Sequence, residues 1–141
     1  MDILGFNKEY RFLSNFWPAK VTLDGLEYSS TEHAYQAAKT LDAAERRRIR
    51  ESQKPGEAKK LGQNVTMRPD WEKMKVEVMR DLVRQKFSNH KELKDKLLAT
   101  GDAYIEETNS WGDIYWGVCK KKGQNWLGKI LMEVRNDFRE K

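Results

Sequence analysis

The pair Asp24-Gly25 restricts this chain more than any other feature. It separates two short β-prone runs, Ala19-Lys20-Val21-Thr22-Leu23 and Leu26-Glu27-Tyr28. A two-residue connection fits the twist of antiparallel strands only when both turn positions take positive φ, which Asp and Gly tolerate. A tight hairpin is expected here, and helix-start residues follow it at once. Ser29 and Glu32 have the S-x-x-E spacing of a capping box, which predicts a helix from Ser29 or Ser30 to about Leu41.

Further helices follow by the same logic. Asp42 with Glu45 three residues on starts a second, reaching about Ser52. Pro55 suits the first turn of a third, and Gly62 ends it. The longest helix is expected from about Pro69 to Phe87, with Trp71, Met74, Val78, Leu82 and Val83 at helical spacing. Asn89 can cap another, carrying Leu93, Leu97 and Leu98 and closed by Gly101. The last helix spans about Asn125 to Arg139, with Trp126, Leu127, Ile130, Leu131, Val134 and Phe138 on its buried side. Tyr10 to Pro18 is aromatic without helical period and reads as a strand leading into a loop, and Ala103 to Glu107 reads as a strand. Strands at both ends with helices between define an α+β fold, mostly helical, with a small, mainly antiparallel sheet in one domain over residues 1–141.

Composition narrows the function classes. A lone cysteine, Cys119, allows no internal disulfide and suits a reducing, cytoplasmic setting. With His33 and His90 as the only histidines, neither a catalytic thiol nor a zinc site is expected. Met1 to Phe6 is neither basic nor a long apolar run, so no signal peptide is expected, and no stretch approaches the roughly 18 apolar residues of a membrane span. The net charge of +5 favours anionic partners such as phosphates, nucleotides or nucleic acid. Arg46-Arg47-Arg48 and Arg50 are flanked by Glu45 and Glu51, which marks a solvated helix face and not a DNA-binding tail.

Three segments hold residues suited to chemistry. Glu32, Tyr35, Gln36 and Lys39 stand at i, i+3, i+4 and i+7 and share one helical face, beside Ala34, Ala37 and Ala38. One acid, one amide, one phenol and one amine among small residues suit a helix lining a pocket. The same spacing also fits an exposed face on which Glu32 closes the capping box. The second segment is Asn109 to Gly117, where Trp111, Gly112 and Trp116 flank Asp113. Tryptophan can stack a base, glycine admits a close backbone, and the aspartate can accept from a sugar or base edge. A tight aromatic turn filling the core is the other reading. The third is Ser14-Asn15 within Phe12 to Pro18, which fits either a phosphate or sugar contact or a turn.

Together these segments resemble the YbiA-like, or NADAR, family. The matching residues are Phe12-Leu13-Ser14-Asn15-Phe16, Ser30-Thr31-Glu32-His33-Ala34-Tyr35-Gln36-Ala37-Ala38-Lys39, Ala58-Lys59-Lys60-Leu61-Gly62, Arg68-Pro69-Asp70-Trp71, Trp111-Gly112-Asp113 with Trp116-Gly117, and Asn125-Trp126-Leu127-Gly128. Ser29 stands where proline is expected in relatives.

The resemblance implies an α+β domain that hydrolyses N-glycosidic bonds. One branch of the family is similar to riboflavin-pathway enzymes that split phosphoribosylamino-pyrimidines. Another removes ADP-ribose from guanine in nucleic acid, and a third possibility is a non-catalytic ADP-ribose or nucleotide-binding module. The short chain leans towards the small-molecule branch, in which nucleic acid is not a partner. Carried over by residue, Glu32 and Lys39 are the catalytic candidates, and Asp113 serves recognition or a second acid/base role. Ser14, Asn15, Tyr35, Gln36, Trp111, Gly112 and Trp116 are the substrate-binding candidates. No metal or organic cofactor is implied.

Overall fold

A computed structural model describes residues 1–140. The strands are β1 (Asp2–Leu4), β2 (Pro18–Leu23), β3 (Leu26–Ser30), β4 (Tyr104–Glu106), β5 (Thr108–Asn109) and β6 (Val118–Cys119). The α-helices are α1 (Thr31–Ala38), α2 (Ala43–Glu51), α3 (Pro55–Gly62), α4 (Trp71–Ser88), α5 (Lys91–Ala99) and α6 (Trp126–Arg139). The α+β class, mostly helical with small sheets, is as expected. The chain forms two compact units, one of Asn15–Lys86 and one of Met1–Ser14 with the chain from Phe87 onward.

In the Asn15–Lys86 unit, β2 and β3 form the antiparallel hairpin, closed by Asp24 at φ 48° and Gly25 at φ 83°. The strand runs directly into α1. Ser30, not Ser29, is the cap: its Oγ accepts from the His33 N–H at 3.1 Å. The expected Ser29–Glu32 box does not form, because β3 pairing continues through Ser30 and keeps Ser29 in the strand. Helix α1 ends at Ala38, short of Leu41, since Thr40 bridges to Met67.

All eight residues of α1 are buried, and Ala34, Ala37 and Ala38 are fully so. Small side chains let β2, β3, α2 and α3 close around this helix. Asp42 caps α2 by accepting from the Glu45 N–H at 2.9 Å, and Pro55 opens α3. On α4, Trp71, Met79, Leu82 and Val83 are buried, whereas Met74 is exposed and Val78 half-buried.

In the other unit, β1 pairs with β4 and β5 with β6, both in parallel. Among the described residues two of the three strand pairs are therefore parallel, which corrects the expected mainly antiparallel arrangement. Parallel partners are not neighbours across a turn, so no local signal in the sequence announces them. Lys8–Leu13 is a 3-10 helix instead of a strand. Phe12 and Leu13 are both buried, whereas a strand would send adjacent side chains to opposite faces. Phe12 meets the edge of Phe87 at 6.4 Å between centroids.

The cap position of α5 is His90, not Asn89, and no side chain caps it. Gly101 at φ 62° ends that helix. Helix α6 buries Leu127, Ile130, Leu131 and Val134 as expected, while Trp126 and Phe138 are half-buried. Buried Arg135 completes that face, its Nη1 donating to Thr100 Oγ1 and to the Ala103 carbonyl, each at 2.9 Å.

Candidate functional site

The polar stripe of α1 is inside the protein, not on its surface. Glu32 is 7% exposed, Tyr35 7% and Gln36 4%. The exposed-face reading of this spacing does not hold. Glu32 opens the helix, with its N–H donating to the Asn15 carbonyl at 3.1 Å. One turn on, Gln36 Nε2 donates to Glu32 Oε2 at 2.6 Å. The buried Gln36 Oε1 has no hydrogen-bond partner. A buried acceptor without a donor is uncommon and calls for an explanation.

Lys39 follows directly after the helix, half-buried, with Nζ 5.6 Å from the centroid of the Tyr35 ring. Its carbonyl accepts from the Arg68 N–H at 2.7 Å, which fixes the end of the helix. Burial pushes the Lys39 amine below its ordinary pKa; the Glu32 carboxylate opposes this, and the Lys59 and Lys75 ammonium groups add to it. Tyr35 leans on Trp71 of α4, with centroids 5.4 Å apart and planes at 56°.

Asn15 belongs to the same unit and is 9% exposed. Its amide Nδ2 meets Met79 Sδ at 3.4 Å while its backbone holds the start of α1. His33 is buried and structural. Its Nε2–H donates to the Ser52 carbonyl at 3.0 Å and Nδ1 lies 2.7 Å from Ser30 Oγ. Burial lowers its pKa, so the ring is held towards the neutral form.

The remaining candidates lie in the other unit. Ser14 ends the 3-10 helix, its N–H donating to the Arg11 carbonyl at 3.0 Å. Asp113 shapes the loop between β5 and β6. Its Oδ1 accepts from the N–H groups of Tyr115 and Trp116 at 3.1 and 2.9 Å. Asn109 braces the same loop: its Nδ2 donates to the Asp113 carbonyl at 2.9 Å and its Oδ1 accepts from the Asp113 N–H at 3.1 Å. Trp111 at the tip is 62% exposed, Gly112 takes φ 87°, and Trp116 is half-buried, so the loop is not simply core filling.

Sequence reasoning assigned no role to Asn109, Lys59 or Lys75. Asn109 looked like any turn residue, and the two lysines gain meaning only from the packing of α3 and α4. Cys119 is buried and carries a free thiol. Among the described residues no cluster of three or more His, Cys, Asp or Glu could hold a metal ion, and no helix is long and apolar enough to cross a membrane.

Comparison with known proteins defines the class. A family model described as the NADAR domain matches residues 5–139. The chain therefore belongs to the NADAR domain family. N-glycosidase YbiA of Escherichia coli strain K12 is 42% identical over 135 residues, covering 92% of this chain and 82% of that one. An N-glycosidase of Nostoc punctiforme is 39% identical over 136 residues, covering 92% and 86%. A riboflavin biosynthesis protein of Vibrio vulnificus is 37% identical over 137 residues, and the match covers 95% of this chain but 37% of that longer protein. The solution NMR structure of the Escherichia coli protein YbiA superposes with a TM-score of 0.86 at 36% identity, covering 99% of this chain and 84% of the other. With N-glycosidases matching most of both chains, the protein is an enzyme of that class.

Proposed function

We propose that this enzyme hydrolyses the C–N glycosidic bond of a phosphoribosylamino-pyrimidine, releasing ribose 5-phosphate and the free base. One observation carries the reading: Lys39, which directly follows the buried helix α1, has an amine held below its ordinary pKa, and the buried Glu32 carboxylate of that helix acts on it. A module that only binds nucleotides has no need of a sequestered acid and amine together. The similarity to a riboflavin biosynthesis protein supports the choice of a pyrimidine intermediate.

The chemistry needs a proton for the departing nitrogen and a way to relieve the electron-poor C1′. In the route we favour, the aminosugar opens to its C1′ imine. The neutral Lys39 amine adds to C1′. Glu32 carries two protons in succession from the attacking nitrogen to the nitrogen of the base, one as the adduct forms and one as the bond to C1′ breaks, so that the base leaves as an amine. The C1′–base bond then breaks with its electron pair going to that nitrogen, leaving an imine between C1′ and Lys39. One water hydrolyses this imine, returning the sugar aldehyde and the free amine. Burial assists by raising the neutral fraction of Lys39. Gln36 orients Glu32 through its Nε2 donor. Tyr35 and Asn15 complete the sugar contacts. In the other unit, Asp113 holds the loop that carries Trp111, Gly112 and Trp116.

The test is release of ribose 5-phosphate from a phosphoribosylamino-pyrimidine by wild type, Glu32→Gln and Lys39→Ala. Release by wild type that is lost in both variants supports the reading. No release, with cleavage of ADP-ribosylated guanine in single-stranded DNA, would replace it.

A further inference from the structure

Gly62 is the last residue of α3, and it is buried. A glycine at the end of a helix ordinarily takes left-handed backbone, as Gly101 does beyond α5 at φ 62°. Gly62 is not among the residues with positive φ. It keeps helical backbone, and Gln63 follows at φ −70°. Any L-residue can adopt that conformation, and alanine favours a helix over glycine. Backbone geometry therefore does not account for a glycine at this position.

The reason is space. Helix α3 packs on α1, and a Cβ at position 62 would stand 2.7 Å from Gln36 Cδ and 2.9 Å from Gln36 Cβ, closer still to Oε1. The carboxamide thus occupies the place where a side chain at position 62 would begin. On its other side the same group donates from Nε2 to Glu32 Oε2 at 2.6 Å. An ionised carboxylate only accepts, so it draws the amide nitrogen towards itself and turns the amide oxygen away. The oxygen ends against Gly62, without a hydrogen-bond partner. The unpaired acceptor is therefore the cost of aiming Nε2 at Glu32. An alanine methyl at position 62 would force Gln36 Cδ to move, and Nε2, bonded to it, would move with it.

We infer that Gly62 is a positioning residue for the reaction: its missing side chain makes room for the Gln36 carboxamide and so fixes the Glu32 carboxylate. The inference rests on the N-glycosidase reading, in which Glu32 carries the protons, and adds a residue of a second helix that acts on Glu32 through Gln36.

The test compares wild type, Gly62→Ala, Gln36→Ala, the double variant and the control Gly56→Ala. Gly56 is on the same helix, and a Cβ there meets nothing within 4 Å. The first readout is the Gln36 side-chain amide signal in a proton–nitrogen correlation spectrum of the whole protein, assigned by its loss in Gln36→Ala. It needs no substrate. Gly62→Ala is expected to move this signal towards that of a free amide, and Gly56→Ala to leave it in place. The second readout is steady-state cleavage of a phosphoribosylamino-pyrimidine. Gly62→Ala is expected to lower kcat roughly tenfold to a hundredfold at nearly constant KM, the effect of losing a hydrogen bond to a charged group. The double variant is expected to match Gln36→Ala in kcat, because without the carboxamide Gly62 has nothing left to place. An unmoved amide signal in folded Gly62→Ala overturns the assignment, as does a double variant with kcat well below that of Gln36→Ala. If Gly62→Ala fails to fold, the double variant decides. Folding of the double variant traces the failure to the carboxamide and supports the assignment, whereas its failure too makes Gly62 a packing residue of α1 and α3 and overturns it. A moved signal in a protein that cleaves no phosphoribosylamine keeps the placement of Glu32 by Gly62 and removes the substrate reading. Normal cleavage by a Gly62→Ala protein with an unmoved signal does the reverse.

Discussion

Gln36 donates to the Glu32 carboxylate at 2.6 Å across one turn of a helix whose every residue is buried. The amide fixes which way the acid points. Glu32→Gln is expected to lower kcat by about 10² to 10⁴, the usual contribution of a general acid–base group, while thermal stability changes little. Gln36→Ala leaves the acid in place but unguided, so its kcat falls less. Steady-state rates with matched melting curves check both, and equal losses in the two variants would contradict the division of roles.

Gly62 abuts the Gln36 carboxamide. Alanine ordinarily favours a helix over glycine, but here overpacking is expected to destabilise the fold by about 1–3 kcal/mol. In a Gln36→Ala background the carboxamide is gone but the residue-36 Cβ still stands 2.9 Å from the new methyl, so the cost of Gly62→Ala should shrink without vanishing. Urea denaturation of the four proteins in this cycle provides the measurement.

Lys39 is shifted below the ordinary lysine value of 10.5, chiefly by burial. In the covalent route kcat therefore rises with pH and levels off earlier than an ordinary lysine would allow. Removing one neighbouring cation with Lys59→Gln should move the rise to higher pH. Lys39→Arg keeps the charge but cannot form the imine, so it should be inactive at every pH. Full activity of that variant would end the covalent route in favour of water activated by Glu32.

Lys86 is fully buried, and burial pushes its ammonium down to about 7. The unfolded chain, at 10.5, then binds more protons than the folded one between those two values. Stability from this group therefore rises with pH from about 7 towards 10.5, and the penalty is complete below the folded value. Lys86→Met lacks this dependence. Its stability relative to wild type should be greatest near pH 6 and shrink on the order of a few kcal/mol towards pH 10. Parallel stability curves across that range would rule the linkage out.

Asp113 Oδ1 accepts from two consecutive backbone N–H groups. Asp113→Ala should loosen the Trp111 loop at a cost of about 1–3 kcal/mol if the freed donors stay dry. Asp113→Asn keeps an acceptor oxygen and should retain most of the loop. A kcat equally lost in both variants would mean that Asp113 acts as an acid or base and not only as a brace. Tryptophan fluorescence and kcat together separate these outcomes.

Local signals carried much of the architecture. Asp24-Gly25, Asp42, Pro55 and Gly101 act through their own backbone geometry or that of the next turn, so the hairpin, two helix starts and one helix end were legible directly. The α1 stripe was legible as a set of residues because Glu32, Tyr35, Gln36 and Lys39 share a face by helical period alone. Its burial was not, since the same spacing describes an exposed helix equally well. The cap at Ser30 was missed by one residue because strand pairing with Pro18, a non-local contact, decides where β3 stops.

What the sequence determined by itself, then, is the order of the α-helices and of the β2–β3 hairpin, the acid–amine face and the family motifs, all of which depend on residues within a turn or two of one another. Only the tertiary structure decided that α1 is enclosed, that β1 with β4 and β5 with β6 run parallel, that Asp113 spends one oxygen on its own loop, and that Lys59 and Lys75 border Lys39. These depend on which faces meet after the chain folds. Burial and the approach of like charges are properties of that meeting, and they hold the Lys39 amine below its ordinary pKa.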